Sequence, residues 1–156
     1  MKYNKSFTAF NCKYIRWKEK PHKELSKFYF INNSNEEVYK DYTTLNKNGD
    51  EFYHSVYVKS PFFEGFDYIA DEQKGLMNLF SETKSSTEYK YLINELNNYL
   101  RQKRKPFLHS SAVKLFKKYE EDGIFPAYKH EWEEVYKKPL LEETLIGLYE
   151  AQPKLF

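Results

Sequence analysis

Apolar residues alternate with polar ones up to about residue 60 and recur at three- and four-residue intervals beyond it. Residues 5–17, KSFTAFNCKYIRW, predict a strand with Phe7, Ala9, Asn11, Lys13 and Ile15 on one side and Thr8, Phe10, Cys12, Tyr14 and Arg16 on the other. Neither side is cleanly polar, so both are expected to be covered in part. Residues 18–23, with Pro21, predict a turn, and residues 25–31, LSKFYFI, a second strand closed by the NNSN loop. Residues 36–45 and 51–59 flank NKNGD, and Asn48-Gly49 suits the positive φ values of a tight turn. The alternation of Val38, Lys40, Tyr42 and Thr44, and of Phe52, His54, Val56 and Val58, predicts that these two segments pair as a hairpin. Residues 36–45 also fit a short helical period.

An aromatic loop, SPFFEGFDY, follows at residues 60–68. Burying a ring is worth about 2 kcal/mol or more, so Phe62, Phe63 and Phe66 are expected to close one end of the core. The other reading is a partner-binding anchor. From residue 70 the period is helical, with Leu76, Leu79 and Phe80 on one side. Ser85 or Ser86 is placed to cap a strong helix with Tyr89, Leu92, Ile93, Leu96, Tyr99 and Leu100 on its apolar face. Pro106 predicts a stop or kink. A further helix is expected over residues 110–122, ending at Gly123, and then a buried connector, Ile124-Phe125-Pro126. Two more helices are predicted at residues 128–137 and 140–151, separated by Pro139. Strands before residue 60 and helices after it predict a single α+β domain over residues 1–156. It would pair a small antiparallel sheet from the N-terminal third with a C-terminal bundle of four or five helices.

Charge changes this picture at one place. Residues 99–118 carry +7 and no acid, between blocks of −4 (residues 60–98) and −5 (residues 119–156). Arg101, Lys103, Arg104, Lys105, Lys114, Lys117 and Lys118 are candidate contacts for phosphates or for an acidic protein surface. Tyr99 and Phe107 flank them and are candidates for stacking on bases. The plain alternatives are cations gathered at a helix C-terminus and the solvated face of the next helix.

Composition narrows the classes. One cysteine excludes an intramolecular disulfide, and a chain of 156 residues buries enough surface to need no staple. Without an apolar run long enough for a signal peptide or a membrane span, a reducing, cytoplasmic setting is expected, with no membrane partner. Lys, Asn, Phe and Tyr, with AT-rich codons, total 61 residues, against 19 for Gly, Ala, Pro and Arg. An AT-rich bacterium, phage or mobile element is the expected source, and the same bias accounts for much of the Lys and Tyr content.

Catalytic patterns are sparse. No Gly-rich phosphate loop is present, and neither a metal nor a cofactor is expected. His130-Glu131-x-x-Glu134 lacks the second histidine of a metalloprotease helix. Asp50 with Glu72-x-Lys74 mimics a nuclease carboxylate–lysine set, but on polar, loop-like sequence. Cys12 and His54 are expected to be strand-interior residues rather than a nucleophile and base. Arg104-x4-His109, with Arg16-x5-His22 as a second match, resembles the Arg-x4-6-His signature of HEPN ribonucleases. That resemblance implies Arg104 and His109 acting together on RNA from one helix. Pro106 and Pro21 fall inside the two matches and predict that the shared helix is broken. The β-rich first third also departs from that family's all-helical fold. The expectation is a small non-enzymatic binding or inhibitor-type protein, of the anti-defence or immunity kind, docking on a larger protein or nucleoprotein. An RNA- or DNA-binding module and a HEPN-like ribonuclease are the alternatives.

Overall fold

The computed structural model describes residues 8–21, 26–46, 49–68 and 83–156. Four strands come first: β1 (Asn11–Arg16), β2 (Lys27–Ile31), β3 (Glu37–Tyr42) and β4 (His54–Lys59). A 3-10 turn at Pro61–Phe63 follows, then helices α1 (Thr87–Glu121) and α2 (Glu131–Ala151) and a 3-10 turn at Pro153–Leu155. The helical segment expected around Leu76, Leu79 and Phe80 lies outside the described residues. The chain divides into two compact units, residues 1–46 with 53–98, and residues 47–52 with 99–156. No described helix is long and apolar enough to cross a membrane.

The sheet has the order β1-β4-β2-β3 and is mixed rather than antiparallel. β4 pairs antiparallel with β1 and parallel with β2. The predicted β3–β4 hairpin is therefore replaced by a β2–β3 hairpin. Its turn is held by Asn32, whose Oδ1 accepts the Glu36 amide at 2.9 Å, and by Asn35 at φ 65°, a conformation asparagine tolerates. Alternation marks a strand but does not select its neighbour. Burial does so here. His54, Ser55, Val56 and Val58 are all buried, which suits a central strand covered on both faces. His54 is fully buried yet satisfied: Nε2 lies 2.9 Å from the Thr43 hydroxyl, and its amide donates to Ser26 Oγ.

The core of this unit is aromatic. Phe30 of β2, with no exposed surface, packs its ring against Phe63 (5.1 Å), Tyr89 (5.7 Å) and Tyr39 (5.8 Å). Phe63 and Phe66 are buried and Phe62 is half-buried, so the aromatic loop does close the core. Tyr89, Leu92 and Leu96 of α1 complete it.

Instead of a bundle of four or five helices, the described residues form two α-helices, because neither Pro106 nor Pro139 ends its helix. A proline removes one N–H and crowds the carbonyl four residues back. Both prolines are on exposed positions, as are Gln102 and Val135, four residues before them. The freed carbonyls thus lie on sides of the helices open to water, while the buried sides pack without interruption. α1 ends as expected at Gly123 (φ 66°), where the Ile124 amide bonds to the Tyr119 carbonyl and the Gly123 amide to that of Glu120. Of the connector only Phe125 packs, against Phe116 (5.0 Å) and Tyr119 (6.1 Å), whereas Ile124 is exposed.

Two substitutions test this account. Phe63→Ala should cost about 3–5 kcal/mol in urea unfolding, the loss expected for deleting a fully buried ring. Pro106→Ala should leave the helical signal in circular dichroism intact and raise stability by up to about 3 kcal/mol, since it restores the missing N–H.

Candidate binding face on the helical unit

The second unit is a helical hairpin. His109 meets Glu150, Ser111 bonds to Tyr149, and Glu120 pairs with Lys138. Rising numbers along α1 meet falling numbers along α2, so the helices run antiparallel. Buried positions on α1 here are Leu100, Leu108, Ala112 and Phe116, and Leu145 is buried on α2. The α1 set has a four-residue step with one member missing, and that member is Arg104.

Arg104 occupies its core-stripe position by pairing with Asp50. The guanidinium Nε donates to Asp50 Oδ2 at 2.7 Å, and a terminal nitrogen lies 2.5 Å from the same oxygen. The Asp50 side chain is only 3% exposed and that of Arg104 16%. Asp50 Oδ1 also accepts the Phe52 amide at 3.0 Å, and Phe52 packs on Phe107 at 5.4 Å. Thus Arg104, predicted as a ligand contact, is committed to the chain's own carboxylate, and Phe107 is half-buried against Phe52.

The other predicted cations, Arg101, Lys103, Lys105, Lys114, Lys117 and Lys118, are exposed. At about 100° per residue, Tyr99, Lys103, Phe107, Lys114, Lys117 and Lys118 share an arc of roughly 100°. Arg101 and Lys105 fall on a different side. The run from Lys103 to Lys118 covers about 22 Å of helix axis at 1.5 Å per residue. Lys103 lies 5.2 Å from the centre of the Tyr99 ring, which is 40% exposed. Among the described residues, Lys103, Lys105, Lys114, Lys117 and Lys118 form no salt bridge. A cavity of about 490 Å³ opens beside this face, lined in part by Asp50, Glu51, Phe107, Lys114, Lys118 and Tyr149. Burial, and then the negative charge of Asp50, push the Tyr149 phenol above its ordinary pKa, so it remains a neutral hydroxyl.

The catalytic patterns do not assemble. Arg104 and His109 do share one helix, contrary to the expected break, but each faces its own carboxylate, Asp50 and Glu150. The partner match, His22, lies outside the described residues, as do Glu72 and Lys74. In the β1–β4 register Cys12 stands opposite Val58 and His54 opposite Arg16, about 13 Å apart along the strands at 3.3 Å per residue. Cys12 is exposed, and partial desolvation pushes its thiol up, away from the reactive thiolate. His130 precedes α2 without capping it through its side chain, and its ring stacks on Trp132. Among the described residues no group of three or more His, Cys, Asp or Glu side chains could hold a metal.

Two features escaped the sequence reading. Asp50, the partner of Arg104, is 54 positions away, and nothing local signals the pair. Four apolar side chains in the first half of α2, Trp132, Val135, Tyr136 and Leu140, are exposed, as is Leu148 further along. Their helical spacing is legible, but splitting the segment at Pro139 hid it.

Asp50→Ala should destabilise the protein by about 3–5 kcal/mol, because it leaves a largely buried guanidinium unpaired. Adding Arg104→Met should recover most of that loss, short of about 1 kcal/mol for the orphaned Phe52 amide. A double-mutant cycle in urea measures the coupling; additive losses would mean that the pair carries no energy.

No protein-family model, curated protein or solved structure matches this chain. The case for function rests on the geometry of its own surfaces.

Proposed function

We propose that the protein is a small, non-enzymatic docking protein, inhibitor-like in kind, that binds a larger protein or nucleoprotein through the lysine face of α1. The observation that carries this reading is that Lys103, Lys114, Lys117 and Lys118 are exposed along one side of an unbroken helix and form no salt bridge among the described residues. An unneutralised row of cations raises the local potential and steers encounter with a negative surface. The AT-rich composition supports a bacterial, phage or mobile-element setting, where small docking inhibitors and immunity proteins act.

Direct binding of RNA or DNA by the same face is favoured by one specific feature, the exposed Tyr99 ring beside Lys103. An aromatic side chain among phosphate-binding cations offers a stacking platform for an unpaired base.

Both readings require the lysines. The variant with Lys103, Lys114, Lys117 and Lys118 all changed to Glu should lose retention on an anionic matrix at low salt while keeping the wild-type unfolding midpoint. For wild type on duplex DNA, four phosphate contacts predict about a 100-fold fall in affinity between 50 and 200 mM salt. Binding to polyglutamate but not to oligonucleotides would select the protein reading. Unchanged retention of the variant would remove the lysine face from function altogether.

A further inference from the structure

The hairpin has a second face of opposite character. At about 100° per residue, Trp132, Val135, Tyr136, Pro139 and Leu140 of α2 fall in an arc of roughly 140°. This is an i, i+3, i+4, i+7, i+8 stripe. On a helix packed into a larger core it would be buried. Here Trp132 is 60% exposed, Val135 62%, Tyr136 70% and Leu140 64%. Of the residues of α2 that meet α1, Lys138 and Tyr149 lie on another side of the helix, and Glu150, which meets His109, shares the stripe's side but stands ten positions beyond Leu140, so the stripe itself stays exposed.

The rim of the stripe is acidic. Glu131 and Glu142 border one edge, Glu133 the other, and Glu143 closes the C-terminal end. Of the two cations of α2, Lys137 neutralises Glu133 at 3.0 Å and Lys138 is engaged by Glu120 of α1, so among the described residues Glu131, Glu142 and Glu143 form no salt bridge and keep the rim acidic. The helix dipole accounts for acids in the first turn, Glu131, Glu133 and Glu134. It does not account for Glu142 and Glu143, which stand in the second half of the helix, where a carboxylate is not favoured. Trp132 is held ready by stacking on His130, with ring centres 6.1 Å apart and planes 10° from parallel.

We propose that α2 docks by its Trp132–Leu140 stripe into an apolar groove of a partner protein rimmed by Lys and Arg. This is the helix-in-groove mode, in which anchors at these spacings enter the groove and rim charges set orientation and partner choice. Aromatic anchors dominate such contacts because they bury a large area at little entropic cost. A second copy docked α2 to α2 would set two acidic rims against each other. An anionic bilayer would be repelled in the same way. The proposal is independent of the lysine face, which lies on α1 and seeks negative charge.

The test uses the full chain and two synthetic helical peptides sharing one leucine stripe, flanked by Lys in one and by Glu in the other. In calorimetric titration the Lys-flanked peptide should bind at least tenfold more tightly than the Glu-flanked one. Trp132→Ala with Tyr136→Ala should weaken that binding at least tenfold, leaving the unfolding midpoint and the salt-dependent retention on an anionic matrix unchanged. Glu131→Gln with Glu142→Gln should erase the preference between peptides. Equal affinity for both peptides, or none for either, would overturn the proposal. So would a dimer in sedimentation that the Trp132/Tyr136 variant converts to monomer, or adsorption of wild type to phosphatidylcholine vesicles that this variant abolishes.

Discussion

The continuity of α1 through Pro106 is the constraint on which the proposed lysine face depends. If the helix ended at Lys105, Lys103 and Lys114 would belong to separate elements with no common face. Because it continues to Glu121, residues many positions apart are ranked along one line. The proline is tolerated because its cost is local and exposed, one lost N–H and one displaced carbonyl, whereas the packing it would interrupt lies on the buried side. Leu108, Ala112 and Phe116 on that side hold the helix to its period.

The Arg104–Asp50 pair shows how a basic cluster can contain residues of different kinds. Six of its cations are exposed, and the seventh sits in the core stripe. A buried ion pair of this sort offsets its own desolvation rather than adding much net stability, but removing one partner is expensive. It ties the Gly49–Phe52 segment to the middle of α1, and Phe52 in turn covers Phe107. Gly49 is part of the same fit. It has φ +73°, and a Cβ there would come within 2.1 Å of the Lys154 side chain. Only a residue without a side chain meets both demands.

The two helices of the hairpin thus turn different chemistry outward, lysines on α1 and an acid-rimmed apolar stripe on α2. A protein whose helices present such unlike faces can distinguish two surfaces on one partner, or two partners. Specificity in that arrangement comes from charge sign as much as from contact area.

Much of the architecture could be read from the chain alone. The four strands, the strong helix after Ser86 and its glycine stop at Gly123 all follow from local periodicity and from the backbone freedom of particular residues. The inward placement of Phe63 and Phe66 follows from the cost of leaving large rings in water. Tertiary packing decided the rest. Which strands are neighbours depends on burying both faces of His54–Lys59, a demand that alternation within one segment does not express. Whether a proline breaks its helix depends on whether the freed carbonyl finds water and the opposite face finds partners. Whether a cation such as Arg104 is surface or core depends on a carboxylate brought from 54 positions away. Sequence carries short-range geometry because the backbone's own sterics enforce it. Pairings across the fold are set by the competition for burial, which is settled only when the chain is compact.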